Sequence, residues 1–265
     1  MAERVRAERR DDGVLRLHLD RPDRRNALDE AMVATLVAEV EAAGKDEAVR
    51  AILVTGEGEH FCSGFDIVGR NAEGAPRPRV GSIQRRLPTQ AHRLIPAVCT
   101  TQVPVVVAAR GWVAGIGLHL AAAADFLIVA DDARLWEPFA QRGFTPDSGG
   151  TWLLPRLVGL ARARELLMLG RELSGTEAVE WGLAHRAVPA AEVDGEAGEL
   201  ASRLASGPTV ALGLTKWLLH TAAEQSLDAH LRDEAFALEL SSRSEDFREG
   251  LKAFVDKRDP GFTGR

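Results

Sequence analysis

The stretch from Pro104 to Gly150 holds the residues best suited to chemistry. Pro104 to Ala109 is a short, Val-rich apolar run that suits a buried strand. Glycines follow at 111, 115 and 117, and an Ala/Leu helix runs on to Ala124. A strand, a glycine-rich turn and a helix start make an anion site, because the first-turn N–H groups of a helix have no intrahelical partners. No Lys or Ser/Thr follows the glycines, which excludes a phosphate P-loop, and the spacing is not G-x-G-x-x-G. Such donors suit a smaller anion, for example the oxygen of a polarised carbonyl. Two titratable side chains accompany the turn. His119 falls near the first turn of its helix, where the dipole favours neutral imidazole, and can serve as base, hydrogen-bond partner or packing. Asp147, in T-P-D-S-G-G, is either a working carboxylate or a cap for the helix that follows.

The flanking elements must hold these groups in place. Val14 to Leu19 alternates as a half-buried strand does, and Ala51 to Thr55 reads as a buried one. Asp29 is placed to cap a helix from Glu30 to Ala43. Residues 70–82, rich in Pro and Gly, predict a mobile surface loop, and a helix bounded or kinked by Pro88 and Pro96 is expected over Ser82 to Cys99. Strands follow at Phe126 to Ala130 and Ala133 to Trp136, then helices from Ser148 or the glycines after it to Val158, over Arg162 to Leu169 and over Thr176 to Trp181. Beyond about Ala190 the pattern is purely helical: Val193 to Ala205, Pro208 to Ala223, Ser226 to Ser241 and Glu245 to Lys257. Residues 1–190 therefore read as an α/β core and 191–265 as a helical region. Asp125, between helix and strand, is expected to be structural.

The chain has 265 residues, 45% apolar and 27% charged, within the range of an ordinary globular protein. Its net charge of −6 argues against a general nucleic-acid role, since phosphate binding needs a basic face. Two cysteines, Cys62 and Cys99, suggest no disulfide scaffold, and Cys62 has no base beside it in the sequence. The N-terminus lacks an apolar signal segment, and no run approaches the length of a membrane span. A cytoplasmic protein with no membrane or nucleic-acid partner is expected. No ligand cluster or dinucleotide fingerprint implies a metal or redox cofactor.

Six segments together are specific. They are R-P-D-R-R-N-A-L, G-E-G-E-H-F-C-S-G-F-D-I, the Pro104–Asp125 segment, T-P-D-S-G-G-T-W-L-L-P-R-L-V-G, W-G-L-A-H-R-A-V-P and E-G-L-K-A-F-V-D-K-R-D-P-G-F. In this order the chain resembles the crotonase superfamily of enoyl-CoA hydratases and isomerases over nearly its whole length. The resemblance implies a crotonase-type spiral of ββα repeats, with the 191–265 region mediating homotrimers or hexamers built as dimers of trimers. It implies an acyl-CoA thioester as substrate, so that CoA arrives with the substrate rather than as a cofactor. The thioester oxygen would lie between the backbone N–H groups of Phe65 and Ile116. CoA would lie along Ser63, Asp66 and Ile67, with Arg25 and Lys257 at its phosphates. Trp136 and Phe139 would shape the acyl pocket, with Glu137 beside it facing pocket or solvent.

The chain departs from the hydratase pattern at two places. Family hydratases carry two glutamates that activate water; His119 stands where the first falls and Phe139 where the second falls. Loss of both removes the acid and base of hydration. Asp147 matches the aspartate of family isomerases, which moves a proton, and of dehalogenases, which attacks as a nucleophile. The favoured reading is therefore a double-bond or ring isomerase acting through a thioester enolate, with Asp147 as proton shuttle and His119 as auxiliary. The alternatives are a nominal enoyl-CoA hydratase, a hydrolase or dehalogenase using Asp147, and a non-catalytic acyl-CoA-binding protein.

Overall fold

The computed structural model describes residues 4–67 and 79–265. Most of the expected surface loop at 70–82 lies outside these residues. Eight strands are described: β1 (Val5–Arg9), β2 (Val14–Leu19), β3 (Ala51–Gly56), β4 (Val105–Ala109), β5 (Trp112–Ala114), β6 (Phe126–Ala130), β7 (Arg134–Trp136) and β8 (Arg186–Val188). Six of them form one sheet in the order β1-β2-β3-β4-β6-β8, while β5 and β7 pair separately. β1 runs antiparallel to β2, and the remaining pairs are parallel. β3 and β4 are buried along their whole length, as the continuous apolar runs require of strands covered on both faces.

Eleven helices are described: α1 (Glu30–Ala43), α2 (Ser82–Arg86), α3 (Leu94–Thr100), α4 (Ile116–Ala123), α5 (Gly150–Val158), α6 (Leu160–Leu169), α7 (Gly175–Glu180), α8 (Val193–Ala205), α9 (Thr209–Thr221), α10 (Leu227–Ser241) and α11 (Glu245–Asp256). The Asp29 side chain caps α1 by accepting from the Met32 N–H at 2.9 Å. The single helix expected over Ser82 to Cys99 is instead α2, two short 3₁₀ turns and α3. Pro88 lacks the N–H that a continuous helix would use there, and the chain tightens around it. Strands β1, β5 and β8 were not expected, because the first is mostly exposed and the other two have three residues each.

α8 packs on β3, β4 and β6 through Val193, Ala197, Leu200, Ala201 and Ala205, all buried. α9 is tied to the core by Lys216, whose Nζ reaches the Asp125 carboxylate at 2.7 Å and donates to the Val98 and Val103 carbonyls at 2.9 and 3.3 Å. Asp125 also accepts from the Val105 N–H at 2.7 Å, so one carboxylate joins the start of β4 to a C-terminal helix. The other faces of α9 to α11 leave large apolar side chains in solvent, among them Leu219, Leu227, Phe236, Leu251 and Phe254.

Removing one partner of a buried ion pair leaves the other uncompensated. Lys216→Ala is accordingly expected to cost about 3 kcal/mol in urea unfolding, more than Lys252→Ala on exposed α11. Equal losses at the two positions would show that Lys216 is not a tie.

Candidate active site

Two chain turns build the site. In the first, the Leu28 N–H donates to Gly64 O at 2.9 Å and the Asp66 N–H donates to Leu28 O at 2.8 Å, a parallel bridge around Phe65. In such a bridge the residue between the two bonds turns its own N–H to the opposite edge, so that of Phe65 points away from Leu28. Buried Asn26 steadies the loop before it: Nδ2 donates to the Glu57 and His60 carbonyls at 2.9 and 2.7 Å. In the second turn, the Gly115 N–H donates to Trp136 O at 3.0 Å, and Ile116 opens α4. The Ile116 N–H, at the first helical position, has no intrahelical acceptor.

The turns are in contact. A Cβ added at Gly115 would lie 3.9 Å from Gly64 Cα and 3.6 Å from Phe139 Cζ, and Gly115 has φ 52°, a left-handed conformation that other residues enter with strain. Phe65 and Ile116 line one cavity of about 630 Å³.

Asp147 lines the same cavity. It begins a turn in which Ser148 has φ 53° and Gly149 φ 88°. A non-glycine residue in that region is costly and is held there by its surroundings. The Ser148 hydroxyl donates to Asp147 Oδ1 at 3.0 Å. Gly149 is the N-cap of α5 and no side chain caps that helix, so Asp147 does not act as a helix cap. Its half-buried carboxylate also borders a second cavity of about 760 Å³ on the α2 side.

His119 and Glu137 correct the sequence reading. Neither lines the cavity, and both are fully buried. His119 Nε2 stands 3.0 Å from Glu137 Oε1 without hydrogen-bond alignment, and none of the four side-chain nitrogen and oxygen atoms has another partner among the described residues. The imidazole stacks on Phe139, centroids 5.8 Å apart, and its other neighbour is Gly150, where an added Cβ would meet the ring at 2.7 and 2.9 Å. His119 thus lies beneath the cavity wall rather than in the cavity. Burial pushes the Glu137 carboxyl up, the nearby His119 pulls it down, and Asp147 pushes it up again.

Phe139, Ser63 and Ile67 line the cavity. Trp136 does not: its indole N–H donates to Gly170 O at 3.1 Å and its ring packs on Trp112, centroids 5.7 Å apart. Asp66 is engaged by the Arg21 guanidinium at 2.8 Å rather than turned to the cavity. Arg25 and Lys257 are exposed, each with a left-handed φ, and neither lines the cavity. Cys62 and Cys99 are buried and their thiols are pushed up to about 12 and about 11 by burial, which leaves them unreactive. The residues missed from the sequence are Arg21, Arg86 and Arg142; Glu137, read as facing pocket or solvent, is instead buried against His119. No local pattern marks them, since their environment comes from segments far apart in the chain.

A family profile described as enoyl-CoA hydratase/isomerase matches residues 9–265. The chain belongs to this family, within the crotonase superfamily, and is an acyl-CoA enzyme of that class. It is 39% identical over 254 residues to the 1,2-epoxyphenylacetyl-CoA isomerase of Escherichia coli (strain K12), covering 96% of each chain. It is equally identical, at 39% with 96% of each chain covered, to a "Probable enoyl-CoA hydratase" of Rhodobacter capsulatus. The crystal structure of an enoyl-CoA hydratase from Bacillus anthracis superposes with a TM-score of 0.92 at 30% identity, covering 99% of this chain and 100% of that one.

Because the folded-state pKa of Glu137 is raised, the unfolded chain releases this proton first as pH rises. Glu137 therefore removes stability as pH climbs above the ordinary glutamate value of 4.5. Urea midpoints measured between about pH 5 and 7 should flatten against pH in Glu137→Gln. An unchanged slope would assign the pH dependence to another group.

Proposed function

We propose that this enzyme isomerises a CoA thioester through an enolate. Asp147 takes a proton from the carbon beside or conjugated to the carbonyl, and the electron pair moves onto the thioester oxygen. The N–H groups of Phe65 and Ile116 receive that oxygen. The same carboxyl then returns the proton to a different carbon, so a double bond or ring bond shifts with no net gain or loss of atoms. A preorganised donor at such an oxygen is worth about 3 kcal/mol. The observation that carries the reading is that Asp147 shares its cavity with Phe65 and Ile116, while Phe139 presents an aromatic wall and His119 lies buried behind it. A water-activating pair of carboxylates is thus missing from the positions hydration would use.

CoA would enter with the substrate, along Ser63 and Ile67, with Arg25 and Lys257 near its phosphates, and no further cofactor is needed for the proton transfer. The apolar faces of α9 to α11 support assembly into trimers, singly or paired as hexamers, since single-copy exposure of so many Leu and Phe side chains is unfavourable. No helix among the described residues is long and apolar enough to cross a membrane. A cytoplasmic location belongs to the same proposal.

Two measurements test it. Proton NMR in D₂O with 2-enoyl-, 3-enoyl- and arylacetyl-CoA esters should show double-bond migration or Cα exchange, reduced about 100-fold or more in Asp147→Asn. Hydration products that persist in the variant would overturn the assignment, and a covalent adduct or released halide would make Asp147 a nucleophile. Light scattering on a sizing column should give three or six times the 28.6 kDa chain mass; a monomer would remove the role given to α9 to α11.

A further inference from the structure

Behind the cavity wall, His119 and Glu137 take no part in the proton transfer, yet both are tied to the backbone that performs it. His119 sits in the first turn of α4, and its backbone N–H donates to Gly115 O at 2.9 Å, in the turn that presents Ile116. Glu137 directly follows Trp136, whose carbonyl accepts from the Gly115 N–H at 3.0 Å. On the facing segment, the Gly150 N–H donates to Asp147 O at 3.4 Å and closes the Asp147 turn. The His119 ring lies so close to Gly150 that an added Cβ would meet it at 2.7 and 2.9 Å. One imidazole thus joins the helix that opens with Ile116 to the turn that carries Asp147.

The Asp147 turn does not hold itself. Ser148 has φ 53° and Gly149 φ 88°, no side chain caps α5, and the bond that closes the turn is long. Such conformations persist where the surroundings enforce them. The ring that enforces this one is itself held: Phe139 stacks on it, centroids 5.8 Å apart, and Glu137 Oε1 stands 3.0 Å from Nε2. An acid at the imidazole edge constrains the rotation of the ring in addition to the packing. Two fully buried ionisable groups cost more here than apolar side chains of the same volume, so stability alone does not account for them. We propose that His119 is a positioning residue for the isomerisation: oriented by Glu137, its ring braces the Gly150 backbone and so sets where Asp147 stands relative to Phe65 and Ile116. This rests on the enolate reading and adds to it a residue that touches no substrate.

The test measures kcat and KM in His119→Ala and His119→Gln, with whichever enoyl- or arylacetyl-CoA ester the wild type isomerises. His119→Ala leaves Glu137 buried without a partner, so the double variant His119→Ala/Glu137→Met is made as well. Each is assayed at a temperature where circular dichroism shows it folded. A displaced base costs rate rather than binding: kcat should fall about tenfold to a hundredfold in both Ala variants, with KM within about threefold. His119→Gln, whose amide can reach Glu137, should recover part of the loss. Gly150→Ala, which pushes a methyl into the ring, should lower kcat in the wild type and by a smaller factor in His119→Ala, where the methyl has room. A kcat within about twofold of wild type in both Ala variants, or a loss carried by KM alone, would overturn the proposal. So would a Gly150→Ala factor that is the same with and without His119.

If the wild type isomerises no ester, the enolate reading fails separately. Amide hydrogen exchange at Ser148 to Gly150 then decides without turnover whether His119 holds Asp147 in place. Exchange there that rises about tenfold more than in β4 when His119 becomes Ala supports the brace, and a rise no greater than in β4 overturns it.

Discussion

The site depends on how closely the Gly115 turn can approach the Gly64 turn. Both residues have positive φ, a backbone conformation that other residues enter only with strain. Two residues on, within the first turn of α4, an added Cβ at Gly117 would sit 2.7 Å from the Cys62 side chain. Every residue of α4 is buried, so the helix cannot shift to make room. The turns are also fixed along their length: Cys62 bridges Val113 in parallel, and Leu28 bridges Phe65. Two N–H groups from chain segments about 50 residues apart are thereby held on rigid backbone, the arrangement that preorganised stabilisation of an oxyanion requires.

The rest of the pocket wall is organised around a second close approach, that of the His119 ring to Gly150. Glycine there lets imidazole lie against the start of α5, just after the Asp147–Ser148–Gly149 turn, while Phe139 stacks on the ring. Placing two ionisable groups, His119 and Glu137, in full burial is costly unless they satisfy each other, and their partial alignment leaves part of that cost in place. The wall is thus apolar on the cavity side and polar behind.

Lys216 and Asp125 show how the C-terminal helices are coupled to the core. The ammonium meets a carboxylate that is itself bound to the first N–H of β4, and β4 leads through β5 directly into the Gly115 turn. The position of α9 is therefore linked, through one strand, to the site. Family membership defines the class of ligand.

By itself the sequence determined the buried strands, the Asp29-capped helix, all four C-terminal helices and the two glycine turns, because each follows from local rules: apolar period, capping chemistry and positive φ. It also placed Asp147, Phe65, Ile116 and Phe139, through short motifs whose residues are near one another in the chain. Ser82 to Cys99 broke into pieces where a proline interrupted the period, and β5 and β8 escaped notice because three residues carry too little pattern. Only the tertiary structure decided where side chains point. It turned Trp136 towards Trp112 and Gly170, gave Asp66 to Arg21, and buried His119 against Glu137. It also brought Arg86 and Arg142 to the wall that Asp147 shares. Direction and burial depend on residues far away in the chain, and spacing within a segment does not encode them.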